Sequence, residues 1–352
     1  MIFSYLPLCY NGSMKKFRGS IIVTLIALIL SFLYAGWDGL FITIILAILE
    51  ISLSFDNAIV NARILEKMSD KWRKLFLTVG ILVAVVGMRL LFPLLIVGIS
   101  AKIDPVHAIT LAMEKGDPHV PGTYGYILNQ AHPSIAAFGG MFLLMVALDF
   151  FFTKHSHTWI KFPEKILEKI GHFPSANVSI SLIILIITVQ LQGDHAHTIL
   201  LSGLLGVVIH LVVNGFGNLM NQSAESKGNE TALAVGKAAF ALFIYLEVID
   251  ASFSFDGVIG AFAITSDPIL ILLGLGVIGA MFVRSLTIYL VEKGTLNRLV
   301  YVEHGAHWAI LALAILILCS IHLDISEVVT GLIGGVLIIA SFISSIVYNR
   351  QH

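Results

Sequence analysis

The chain has 352 residues and a formal net charge of −1; 57% of its residues are hydrophobic and only 12% charged. One soluble core cannot bury that much apolar surface, and the apolar runs reach the length of a membrane span, so an all-α, polytopic transmembrane protein is expected. Basic residues spread over short loops give no nucleic-acid surface, and two isolated cysteines, Cys9 and Cys319, speak against a disulfide framework or a thiolate metal site.

Residues 1–13 read as a non-essential N-terminal extension to a single transmembrane domain at 14–348. Lys15, Lys16 and Arg18 precede an apolar run at 21–33. That opening resembles a signal peptide, but no small-residue cleavage pattern follows, and Tyr34-Ala35-Gly36-Trp37 reads as an interfacial end. Further apolar segments follow at 39–65, 74–99, 135–152, 178–191, 198–216, 237–264, 269–291, 304–321 and 328–348, about ten in all. Pro105, Pro118, Pro121 and Pro133 make 101–134 read as an ordered external turn.

Loop charge orients the helices, because Lys and Arg gather on the cytoplasmic side. Arg63, Lys67, Lys71, Arg73 and Lys74 join the second and third segments, and Lys154, Lys161, Lys165 and Lys169 the fourth and fifth. The fifth segment is short enough to be re-entrant. Lys293, Arg298 and Arg350 fall on the cytoplasmic side only if it crosses. With that crossing, both termini are cytoplasmic and the second and seventh helices run in opposite directions.

Those two helices carry one motif twice. Residues 50–62 read EISLSFDNAIVNA and residues 250–262 read DASFSFDGVIGAF, aligned at an offset of 200. Each carboxylate at a bilayer centre costs roughly 2.5–3.5 kcal/mol, so Glu50, Asp56, Glu247, Asp250 and Asp256 together cost on the order of 10 kcal/mol and call for a compensating partner. The third and eighth segments add glycines and then Arg89 or Arg284; the fourth and ninth open on Phe138-Gly139-Gly140 and His304-Gly305-Ala306. A three-helix unit is thus expected twice, as an inverted repeat at about 39–153 and 237–322, with a substrate site between the halves.

At about 100° per residue, Glu50, Ser54, Asn57 and Asn61 share one helical face, and Glu247, Asp250, Ser254 and Gly257 the corresponding one. Asp56 and Asp256 lie off those faces, so either the helix unwinds at Ser-Phe-Asp or they meet another neighbour. Gly257 and Gly260 make a break in the seventh helix cheap. Carboxylate, amide and carbonyl oxygens suit magnesium, calcium or manganese better than copper or zinc. The acids could instead serve only as helix ties to Arg89 and Arg284, but two arginines do not neutralise five acids, and helix packing normally uses small or uncharged polar groups. Either arginine can tether the site or snorkel to the boundary.

Asp149 reads as interfacial. His304 and His307, i and i+3 on a helix, are a possible secondary metal or proton site. His155, His157, His195, His197, His107, His119 and His132 lie in loops. No phosphate-binding loop, Ser-His-Asp set or HExxH pattern is present, so neither an ATP-driven pump nor an enzyme is expected.

The paired motifs, E50-I-S-L-S-F-D-N57 and D250-A-S-F-S-F-D256-G257, resemble the signature of the TerC-type integral membrane proteins, in a bacterial branch long labelled as of unknown function. The likeness covers the second to fourth and seventh to ninth helices. It implies a protein of the bacterial cytoplasmic membrane, connected with manganese efflux or tellurite resistance, in which Glu50, Asp56, Asn57, Asp250 and Asp256 hold the metal. Gly257 departs from the serine usual after the second aspartate. Glu247, Ser54, Ser254, Asn61, Arg89 and Arg284 are then expected in proton coupling or around the ligands, with Mn2+ as transported substrate and no permanently bound cofactor. An exporter of an amino acid or small organic cation, and a non-transporting accessory protein, remain as alternatives.

Overall fold

A computed structural model describes the chain apart from residues 1–5, 81, 191–195, 226–233, 266, 293–298, 324, 326 and 352. His195, Lys293 and Arg298 therefore lie outside the described residues, as do the side chains of Asp56, Ser254 and Asp256. The described chain is helical, with an isolated β-bridge between Met68 and Ala234. Several helices are long and apolar enough to cross a bilayer, which makes this an all-α, multi-pass membrane protein.

Helix α1 (Leu6–Leu53) is two limbs folded back at Ala35 and Gly36, where Gly36 takes φ 64°, a left-handed conformation open to glycine. Ser31 Oγ donates to the Gly39 carbonyl at 2.6 Å and lies 2.5 Å from Thr43 Oγ1. Twelve residues of straight helix would separate Ser31 from Thr43 by roughly 18 Å. The limbs are the first two expected segments, and α2 (Phe55–Leu65) continues the second beyond Ser54.

The third segment begins as α3 (Asp70–Leu75), passes through π-helical turns at Phe76–Gly80 and Val83–Leu91, and ends as α4 (Phe92–Ala101). The expected external turn contains a helix, α5 (Pro105–Met113), and the start of α6 (Tyr124–Phe151). Both starts were encoded: Asp104 accepts from the Val106 and His107 amides ahead of Pro105 at N1, and Thr123 accepts from Tyr126 N.

After α6 come α7 (Lys161–Ile170), α8 (Ala176–Gln190), α9 (Ala196–Glu225) and α10 (Gly236–Ile264). Helix α8 is roughly 22 Å long, short of the ~30 Å hydrocarbon core. The eighth segment is α11 (Pro268–Ile271), a π-helical stretch at Leu272–Gly279, and α12 (Ala280–Glu292). Helices α13 (Val302–Ser320) and α14 (Glu327–Gln351) complete the chain.

Burial ranks the helices from centre to rim. The apolar stretch of α6 is 72% buried, against 17% for those of α1 and α14. Helix α6 packs against α9, α13 and α10 over a core that includes Phe142, Leu143, Met145, Ile310 and Ala314. Isoleucine, leucine and valine on α1, α9 and α14 stay exposed, as a lipid-facing rim requires.

Helix α7 is amphipathic, with Phe162 and Ile166 exposed beside Lys161, Lys165 and Lys169. Its buried Glu164 accepts from the Trp159 and Ile160 amides at 3.1 and 3.0 Å and from Trp308 Nε1 at 3.0 Å, and lies 3.0 Å from His304 Nδ1. Burial works against the charge, but the bond to His304 and those from Ile160 and Trp308 outweigh it and hold the carboxyl below the usual carboxylate range.

Candidate functional site

Glu50 lies in the last turn of α1 and is buried. The helical dihedrals lapse for one residue, Ser54 (φ −98°, ψ 10°), although Ser54 N still reaches the Glu50 carbonyl at 2.9 Å and Ala58 N the Ser54 carbonyl at 3.2 Å. The expected opening at Ser-Phe-Asp is therefore a one-residue kink in the first motif. In the second motif α10 runs unbroken from Gly236 to Ile264, so the break expected at Gly257 and Gly260 does not occur. Glycine lowers the cost of a break without causing one, and α10 keeps its i to i+4 ladder.

The kink divides the polar face between two tasks. Ser54 Oγ donates to Glu50 Oε1 at 2.6 Å, and the same oxygen accepts from Arg89 Nη2. One turn on, Asn57 and Asn61 both donate to Asp250 Oδ1 of α10, at 2.5 and 3.0 Å. Arg89 is buried, so it ties the site and does not snorkel. Arg284 donates from Nε to the Leu77 carbonyl at 2.8 Å, inside the π-helical turn, and pairs with no acid among the described residues.

Glu247, one turn before Asp250, has both carboxylate oxygens buried without a hydrogen-bond partner among the described residues. It packs on Gly80, where a Cβ would stand 2.6 Å from its Oε1. Glu50 packs in the same way on Gly279, where a Cβ would stand 2.0 Å from its Cγ. Glu50 and Glu247 thus each rest on a glycine in a π-helical segment of another part of the chain.

Asn57, Asn61, Arg89, Asp250, Arg284 and Thr287 line a cavity of about 20 Å³. About 10–15 Å³ suffices for one water, so the cavity takes one water or one bare ion. Among the described residues, no three His, Cys, Asp or Glu side chains converge to hold a metal. The oxygen donors brought together are the Asp250 carboxylate and the two amides, with Asn61 Oδ1 buried and without a hydrogen-bond partner among the described residues.

His304 and His307 take different partners: His304 faces Glu164, while His307 stacks on Phe150 at 3.7 Å and 6° with Nδ1 2.8 Å from the Glu303 carbonyl. Asp149, read as interfacial, is a hub. It accepts from Asn177 Nδ2 at 2.5 Å and from Asn214 Nδ2 at 2.8 Å, and lies 2.8 Å from His210 Nε2. Sequence reasoning passed over that cluster, although His210 and Asn214 stand four apart in an otherwise apolar segment.

Fold and site together define a multi-pass, all-α membrane protein with, among the described residues, one carboxylate, two amides and two arginines around an ion-sized cavity. A family model described as a protein of unknown function, DUF475, matches residues 55–352, and the chain belongs to that family. No curated protein and no solved structure matches the chain.

Proposed function

We propose that this protein is a secondary transporter that exports a divalent metal cation, Mn2+ first among the substrates to test, from the bacterial cytoplasm, with both termini cytoplasmic. The observation that carries the reading is the ion-sized cavity lined by Asp250, Asn57 and Asn61, where oxygen donors are held inside an apolar protein. Such donors suit Mg2+, Ca2+ or Mn2+. Asp56 and Asp256, from the same motif copies, belong to the proposed ligand set.

The packing of Glu50 on Gly279 and of Glu247 on Gly80 supports an inverted repeat whose halves meet at the site. Arg89 is then the resting counter-ion of Glu50, released when the metal arrives. Glu247 is the proton carrier, because its carboxyl has no partner among the described residues and carries no net charge once protonated. Transport becomes exchange of metal for protons.

An amino acid or organic cation fits this cavity poorly, since sites for such ligands run to about 300–1,000 Å³. Uptake of Mn2+ into everted vesicles, with internal pH followed, tests the proposal. Wild type should accumulate Mn2+ and release protons, and Asp250→Asn should do neither. Wild-type vesicles that take up no divalent metal would return the protein to the accessory reading.

A further inference from the structure

Helix α7 is fixed to the bundle from its inner side. Its Glu164 reaches His304 and Trp308 in the first turns of α13, and the preceding Trp159 donates from Nε1 to Ser344 Oγ of α14 at 3.1 Å, close to the end of that helix. Helix α6 ends at Phe151, just ahead of this segment. All three of these helices are long and apolar enough to cross a bilayer. Each has an end beside α7, so α7 lies at one surface of the membrane.

At about 100° per residue, the outward face of α7 divides into two strips. Lys161, Lys165 and Lys169 fall within about 80° of one another, and Phe162 and Ile166 follow over roughly the next 60°. All five are exposed, Phe162 at 79%, as is Phe173 just past the helix at 71%. Glu164 is buried on the opposite side and Glu168 is half-buried at the margin, so the charges carried outward are those of the lysines. Among the described residues none of the three is in an ion pair. A helix that faces water turns its aromatic side chains inward. Bare phenylalanines beside a row of lysines are the pattern of a helix lying in the membrane interface.

We infer that α7 is a docking surface for anionic phospholipid at the bilayer surface. Phe162, Ile166 and Phe173 enter the boundary between head groups and acyl chains and continue the lipid-facing rim of α14. The lysine stems then hold their ammonium groups at the level of the lipid phosphates. Charge selects the lipid, because three lysines with no exposed acid on their face complement an anionic head group, whereas a zwitterionic one offers them no net charge. Glu164, bonded to the Trp159 and Ile160 amides, Trp308 and His304, holds the inner side, so the outer side is presented ready-formed and little is ordered on binding. Loop charge puts this surface at the cytoplasmic leaflet, which is the anionic one. It stands apart from the transport reading.

The test places a nitroxide at Phe162→Cys, with Cys9→Ser and Cys319→Ser, in the full chain in nanodiscs of phosphatidylcholine with or without phosphatidylglycerol. Its relaxation by a water-soluble nickel complex is compared with that of a nitroxide at Ser156→Cys. The label at 162 should be the more shielded, and more so with phosphatidylglycerol. Lys161→Gln, Lys165→Gln and Lys169→Gln together should abolish the gain due to phosphatidylglycerol, as should high salt, with helicity unchanged. A label at Phe173→Cys repeats the comparison from outside the helix. Labels as exposed as the one at 156 overturn the proposal, and so does shielding that is the same with and without phosphatidylglycerol. Shielding confined to discs that hold two chains assigns the face to a second copy and overturns the lipid partner.

Discussion

The two acidic motifs share a sequence but not a structure. In the first, a kink at Ser54 lets Glu50 meet Arg89 while Asn57 and Asn61 reach across to Asp250. In the second, α10 runs unbroken, Asp250 accepts those amides, and Arg284, in the position matching Arg89, binds a backbone carbonyl. One copy therefore supplies an acid paired with an arginine, and the other a carboxylate held by neutral amide donors, the difference on which the proposed metal site rests.

The largest effect should come from the unpaired side of that contrast. Asp250→Asn is expected to weaken Mn2+ binding at this site by at least the order of 100-fold, read as the initial rate of uptake against metal concentration. Equal transport by the mutant and wild type would remove Asp250 from the proposed ligand set.

The arginines sharpen the comparison. Arg89→Leu strands Glu50 and should cost about 3–5 kcal/mol, whereas Arg284→Leu gives up a bond to one carbonyl and should cost about 2 kcal/mol. Denaturation in detergent measures both, and Glu50→Leu added to Arg89→Leu should recover most of the first loss. Equal costs would show that Arg284 bears an acid after all.

The glycines differ more finely. Gly279→Ala meets Glu50 at its Cγ and Cβ, near the backbone, and should cost about 1–3 kcal/mol. Gly80→Ala meets the far end of the flexible Glu247 side chain at 2.6 Å and the ring of the buried Phe76 at 2.8 Å, both longer contacts than the 2.0 Å at Gly279, and should cost less.

The last effect is one of pH and belongs to Glu164, on the amphipathic helix α7. Glu164 is held below its ordinary value of 4.5, so its contribution is complete above that pH and is lost as pH falls through the lowered value. The unfolding midpoint of wild type should drop with acidification below about pH 4.5, and Glu164→Gln should flatten the curve. A mutant with the same acid profile would assign that loss to other groups.

The sequence by itself determined the class, the approximate helix positions, and a candidate set of polar residues, within which the structure brings Glu50 to Arg89 and Asn57 and Asn61 to Asp250. Hydrophobic run length and 3.6-residue periodicity are local quantities, and a carboxylate within an apolar run is conspicuous wherever the chain goes. Tertiary structure alone decided the pairings: that Arg89 takes Glu50 while Arg284 takes the Leu77 carbonyl, that α10 stays whole despite Gly257 and Gly260, and that Asp149 gathers Asn177, His210 and Asn214. Two arginines in matched positions are equivalent in sequence. Their partners are chosen by distances of a few ångströms between segments 39 to 207 residues apart, and no local pattern encodes those distances.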